Sequence, residues 1–304
     1  MMRPGLLLRG WRERGWREID AAAYAEIWRR YGGSVATHPL AVAELSQLAG
    51  IPARYLAWPQ GAEKGAYQAA IAAWGRDLAL SKMALKRLGK KGLFDLGNAE
   101  VILPVAVGAR VSLRHGARYL SILHRENILT ARPQAEPLAL ARAPEEFSGK
   151  FRYNQRRERR LAELAGGEVR FVRDFSPEAF AALYLELFQR RWGFAATGAA
   201  HMAEVFTRLQ PLLRGAALLI EGRPVAAQVL YRAESPDWIS VEYVNGGVDP
   251  KNRAFSPGSI LTFANLQNAW EEARARGKSL RYSFGRADRD YKQNWCHVQS
   301  VLRV

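Results

Sequence analysis

From Trp238 to Val244 apolar and polar residues alternate, with Trp238, Ser240, Glu242 and Val244 on one face and Ile239, Val241 and Tyr243 on the other. Period two predicts a strand. Upstream, the apolar runs Ala216 to Ile220 and Val225 to Tyr231 flank Glu221-Gly222-Arg223-Pro224, the composition of a hairpin turn. Downstream the period becomes helical: Ile260, Phe263, Leu266, Trp270 and Ala273 form a stripe that stops at Gly277. Ser256 is the predicted cap of that helix, Pro257 its first residue, and Phe255 with Ile260 its hydrophobic staple. Before the hairpin, Glu168 to Arg173 reads as a strand, Pro177 to Trp192 as a helix behind Ser176, and Ala199 to Leu213 as a second helix. After the capped helix, Ser279 to Phe284 reads as a strand, Asp288 to Gln293 as at most a short helix, and Cys296 to Val304 as a last strand. The predicted order is β-α-α-β-β-β-α-β-α-β.

The first half echoes the second weakly. Arg17 to Ile19, Asp20 and the helix Ala21 to Tyr31 parallel Phe171 to Arg173, Asp174 and the helix after Ser176. A second helix, Pro39 to Ala49, then precedes apolar runs at Ala53 to Trp58 and Tyr67 to Trp74, which suggests a diverged duplication. Ala131 to Gly149 holds Pro133, Pro137 and Pro144 without a sustained apolar period, so the expected boundary falls near residue 145, between domains 1–145 and 146–304. Beyond it, Lys150, Arg152, Arg156, Arg157, Arg159 and Arg160 load one helix that runs through Leu164 to Gly166-Gly167. That helix reads either as a nucleic-acid arm or as a solvated face lining a cleft for an anionic ligand.

Composition narrows the partners. The chain has 304 residues, is 48% apolar and carries a net charge of +16. Length and apolar content suit two ordinary cores, and the charge suits anionic partners: nucleic acid, acidic phospholipid or a phosphate-bearing small molecule. An Arg-heavy, Ala-rich chain also fits a base-composition bias of its gene. No stretch is long enough to span a membrane, and Gly5-Leu6-Leu7-Leu8 is too short for a signal peptide, so the cytoplasm is the expected location. The single cysteine, Cys296, excludes an internal disulfide and paired-thiolate zinc and reads as an apolar filler; the five histidines form no metal pattern. Walker, Rossmann and Gly-x-Ser-x-Gly motifs are missing, as is a helix-turn-helix for sequence-specific DNA.

The chemistry concentrates near residues 255–295. A helix opening at Ser256-Pro257-Gly258-Ser259 presents free N–H groups and the positive end of its dipole, and small residues let an anion approach. A well-capped surface helix is the plain alternative. Tyr282-Ser283-Phe284-Gly285-Arg286 closes a strand nearby, and Tyr291-Lys292 with Trp295 follows.

This element order looks like the GNAT acyltransferase fold, and the C-terminal segment is similar to its FemAB-like branch, in which two such domains sit side by side. The resemblance implies an α+β protein of tandem GNAT-like domains, mixed sheets flanked by helices. Over most of the chain, Tyr31-Gly32-Gly33-Ser34 with Thr37-His38-Pro39, the run Gly97-Asn98-Ala99-Glu100-Val101-Ile102-Leu103-Pro104, and Arg191-Trp192-Gly193-Phe194 resemble a bacterial family. Ala233-Glu234-Ser235-Pro236, Tyr243-Val244-Asn245-Gly246-Gly247-Val248-Asp249 and Arg281-Tyr282-Ser283-Phe284-Gly285 extend the likeness. It is the macrophage-inducible antimicrobial-peptide-resistance family known as Mig, which implies a virulence role in surviving cationic peptides and association with the inner membrane.

In that frame Glu242 is the candidate general base, Tyr291 the proton donor to the leaving group, and Lys292 the cation at the phosphate or oxyanion. A surface carboxylate paired with an arginine and a packed ring are the plain alternatives for Glu242 and Tyr291. Tyr243, Asn245, Arg253, Ser256, Gly258, Ser259, Gly285 and Arg286 are the candidate donor-binding residues. Lys251 to Gly258 offers one glycine where acetyl-CoA-using GNATs have a Gly-rich run, so an aminoacyl-tRNA donor competes with acyl-CoA. The expected activity is acyl or aminoacyl transfer to an amine of an envelope component or peptide, without metal. The rival is a non-catalytic basic factor with a degenerate transferase fold that binds the anionic inner-membrane surface or nucleic acid, RNA included.

Overall fold

The computed structural model describes residues 9–61, 65–252 and 254–304. Its first half builds β1 (Arg17–Ile19), α1 (Ala21–Tyr31), α2 (Pro39–Ala49), β2 (Arg54–Pro59), β3 (Tyr67–Trp74), β4 (Asp77–Leu78) and α3 (Lys82–Arg87). Asp20 starts α1 by accepting the Ala23 N–H, and Pro39 at the first turn of α2 needs no donor. The four strands pair antiparallel in the order β1-β2-β3-β4. Three short strands follow: β5 (Leu120–Ser121), β6 (Arg132–Pro133) and β7 (Leu138–Ala141).

The second half contains α4 (Gly149–Leu164), β8 (Gly167–Phe171), α5 (Pro177–Trp192), α6 (Met202–Arg208), β9 (Leu213–Ile220), β10 (Arg223–Glu234) and β11 (Trp238–Val248). Then come α7 (Pro257–Ala275), β12 (Ser279–Arg286), β13 (Cys296–Gln299) and β14 (Val301–Arg303). The large sheet has the order β13-β7-β12-β11-β10-β9-β8, and within it β11 and β12 run parallel while the other pairs are antiparallel. One face packs on α7 through Leu266, Ala269 and Ala273 against Leu230, Val241 and Tyr282. On the other, Phe180, Tyr184 and Phe206 of α5 and α6 share a core with Tyr24, Trp28, Leu45 and Trp74 of the first half.

Three elements differ from expectation. The helix placed over Ala199 to Leu213 ends at Arg208, because Pro211 lies just beyond and Leu213 already pairs with Tyr231. Cys296 to Val304 is two strands in two sheets: β13 pairs with β7, whereas β14 lies between β5 and β6. Leu138–Ala141, inside the segment read as a linker, is a strand between β12 and β13. Thus β7, before residue 145, completes the large sheet, and β14, after it, completes the small one.

Candidate functional site

β11 and β12 hold register from Trp238↔Ser279 to Glu242↔Ser283 and then part, although they continue to Val248 and Arg286. On its other side β11 bulges at Val244, since Leu230 faces Tyr243 while Val229 faces Asn245. A loop of the first half enters at the parting. A Cβ on Gly97 (φ +75°) would stand 3.3 Å from the Tyr243 carbonyl oxygen, and one on Gly285 (φ +71°) 3.6 Å from Asn98 Cβ. Glycine serves both positions, because φ is positive and the backbones come close.

Glu242, the candidate base, is only 2% exposed, so the alternative of a surface carboxylate does not hold. Its Oε1 accepts the backbone N–H of Glu100 at 3.1 Å. The Glu100 carboxylate is buried too, accepting from Ser121 Oγ at 2.6 Å and from Arg281 through Nε at 2.9 Å and Nη2 at 2.5 Å. Arg281 therefore neutralises Glu100, and Glu242 stands beside it without a cation of its own among the described residues. Burial first, and the Glu100 charge second, push the Glu242 carboxyl well above the ordinary carboxylate range. His124, completing this side by accepting the Leu103 N–H, is held neutral by burial, its imidazole lowered to about 4.

Tyr291 and Lys292 lie in the 3-10 turn Asp290–Asn294, which follows the end of β12, and no hydrogen bond joins either to Glu242 among the described residues. Lys292 is buried; its Nζ donates to the Arg286 carbonyl at 2.5 Å and to Asp288 Oδ1 at 3.2 Å. Tyr291 is half exposed, yet partial burial raises its phenol. The phenol of Tyr243 is raised by burial and by Tyr291, and its ring lies 5.4 Å from that of Phe284. Arg286 pairs with Glu136 and Asp288. Asn245 turns its side chain onto the Gly246 N–H.

The start of α7 departs from expectation. The Ser256 hydroxyl makes no capping bond: its ψ is 82°, against 155° and 152° at the side-chain caps Ser148 and Ser176, so the oxygen does not reach the first turn. Its N–H instead donates to Glu158 Oε2 at 2.7 Å, which places a carboxylate of α4 at this helix end. The Gly258 carbonyl accepts from Gln228 and Thr262 inside the fold. Among the described residues a Cβ at Gly258 would touch Val248 alone, at 3.6 Å, and Ser259 follows in the open first turn. Arg253 lies outside the described residues.

Asn98, Glu100 and Arg281 escaped sequence reasoning as site residues. Their signal was present only as stretches of family likeness, because pairing positions 100 and 281 requires the fold. Among the described residues no three His, Cys, Asp or Glu side chains gather as a metal site, and no helix is long and apolar enough to cross a membrane.

A mixed sheet whose one parallel pair parts beside a bulge, with helices on both faces, defines an acyl-CoA N-acyltransferase-like fold. The crystal structure of FemX shares it over 95% of this chain and 96% of its own, at 12% identity and a TM-score of 0.56. The C-terminal domain of a putative lysylphosphatidylglycerol synthetase from Agrobacterium fabrum aligns with 93% of this chain and 90% of its own, at 13% identity and a TM-score of 0.49. The chain belongs to the Mig-14 family, whose model matches residues 38–304. No curated protein matches it.

Proposed function

We propose that the protein transfers an acyl or aminoacyl group to an amine, with the donor lying along the parted ends of β11 and β12. The parting carries this reading. Beyond Glu242↔Ser283 the edge of β11 pairs with no strand among the described residues; the loop carrying Gly97 and Asn98 enters there against the Tyr243 carbonyl, and the extended donor arm runs beside that loop along Tyr243 and Asn245. Gly285 keeps the opposite wall low, and the first turn of α7, with Ser256, Gly258 and Ser259, takes the donor's phosphates together with Arg253 and Arg286.

The amine nitrogen attacks the donor carbonyl carbon, and Glu242 receives the proton it loses; a raised carboxyl suits a base working near neutral pH. Lys292 supports the negative charge on the carbonyl oxygen. As the bond to the leaving sulfur or ribose oxygen breaks, the Tyr291 hydroxyl gives its proton to that atom and regains one from solvent, to which Glu242 releases the proton it took. Acyl-CoA and aminoacyl-tRNA are the two donors that the positive charge favours, and no metal enters the scheme.

The acceptor in this reading is an amine of an envelope component or peptide, and the outcome is resistance to cationic antimicrobial peptides, for which family membership is the support. The protein works in the cytoplasm, touching anionic inner-membrane lipid through Lys150, Arg156, Arg157 and Arg160 of α4, all exposed. The test is transfer of label from acetyl-CoA or from a mixed aminoacyl-tRNA pool to envelope extract, comparing the parent with Glu242→Gln. Transfer by the parent alone supports the proposal. Binding of anionic vesicles or RNA with no transfer from either donor replaces it with a non-catalytic basic factor.

A further inference from the structure

Away from the start of α7, a cleft of 730 Å³ opens between the later turns of that helix, the floor of β10 and β11, and the segment after β8. None of the donor-binding or catalytic candidates lines it. The volume falls in the range of about 300–1,000 Å³ usual for small-molecule sites. Phe171, Val172 and Phe175 make a part-exposed apolar wall, over a base of Leu230, Val241 and Ala269 that the fold already buries.

Charge sits at one end. Arg232, 9% exposed, gives Nη2 to Glu234 and Glu272, both at 2.8 Å, while its buried Nε has no acceptor. Arg276 and Lys278 draw on the same carboxylates: Arg276 on both, Lys278 on Glu234. Arg214 has no carboxylate partner among the described residues; its Nη1 reaches only the carbonyls of Pro211 and Leu213, at 3.1 and 2.7 Å. Arg173 at the rim has Asp174 at 4.0 Å, and Glu271 is exposed on α7. Of the three arginines that line the cleft, Arg173, Arg214 and Arg232, Arg214 is the one without an ion pair among the described residues; burial first and then Arg232 disfavour its charge, and Glu272 offsets them in part.

We propose that this cleft binds an amphipathic monoanion, an apolar chain or ring bearing one carboxylate or phosphodiester. The head pairs with Arg214, whose planar fork matches either group, and the body lies along Phe171, Val172 and Phe175. Asn268 on α7 stands at the lining as a neutral partner for the head.

Calorimetry with octanoate, dibutyl phosphate and neutral octanol tests this. One anion should bind at one site per chain, and which one does identifies the head group. Octanol should bind at least about 10-fold more weakly, and Arg214→Gln should weaken the anion by about 10-fold, the loss expected for one charged hydrogen-bonded contact. Asn268→Trp, which fills the cleft without removing a cation, should abolish binding. The proposal fails if neither anion binds the parent below about 1 mM, if octanol matches the anion, or if folded Arg214→Gln keeps the parent Kd. Should Arg214→Gln not fold, unchanged binding by Asn268→Trp overturns it equally.

Discussion

The backbone N–H of Glu100 donates to the side chain of Glu242 at 3.1 Å, across 142 positions of sequence. This bond ties the loop of the first half to the last paired residue of β11, just where the strand leaves β12. The two carboxylates on either side of it are unequal, one bidentate to Arg281 and the other without a cation.

Glu242→Gln should abolish transfer and remove a pH trend in stability. A carboxyl raised by folding binds more protons in the folded than in the unfolded chain, so its contribution is full below the ordinary carboxylate range and declines as pH rises towards its folded pKa. The glutamine variant lacks this decline. Relative to the parent its melting temperature should improve from pH 5 to pH 8 by thermal scans; parallel curves would mean that Glu242 is not raised.

Removing the Lys292 ammonium while keeping its stem, as in Lys292→Met, should lower transfer by roughly 100-fold to 1000-fold, the range for one lost oxyanion donor. Lys292→Arg should be impaired as well, because a planar fork does not replace a point charge held between Arg286 and Asp288. Both variants need melting curves, since Nζ also pins the turn after β12. Full transfer in folded variants would leave Lys292 a structural residue.

Gly258→Asp has room, with Val248 at 3.6 Å as its neighbour, so the protein should fold. Its charge at the start of α7 should weaken retention of CoA or of an RNA 3′ end by roughly 0.3 to 2 kcal/mol. Glu158→Gln, which removes the carboxylate held by the Ser256 N–H, should strengthen it. Equal affinities in equilibrium dialysis would move the phosphate site away from this helix.

Ser235→Ala should loosen the two halves. The hydroxyl accepts the Gly33 N–H at 2.8 Å and donates to the Gly33 carbonyl at 2.9 Å, all buried. The Gly33 carbonyl keeps Trp238 Nε1 at 3.0 Å, so the change orphans the buried Gly33 N–H, which costs about 1–3 kcal/mol and is read as a lower urea midpoint with an unchanged slope. An unaltered midpoint would show that this contact forms independently of stability.

Much of the second half was legible because its period is long enough to see: the hairpin, the strand through Glu242 and the stripe of α7 each repeat over several residues. Leu138–Ala141 was not, because four residues between prolines carry no measurable period and their pairing with β12 and β13 is fixed by distant residues. Within the site, the face of Glu242 followed from alternation, but its burial did not. A sequence does not reveal that Glu100 and Arg281 will meet beside it. The Ser256 cap failed for a similar reason: residue type favours the bond, and the backbone angle set by the preceding turn denies it.

The position of β14 also has a consequence in time. Leu120–Ser121 and Arg132–Pro133 receive their middle strand only when Val301–Arg303 has left the ribosome. Until then the earlier half carries two open strand edges, and closing a loop of such length delays the pairing further. The three-stranded sheet is therefore the last part of the molecule to close, and it joins segments about 170–180 positions apart in sequence.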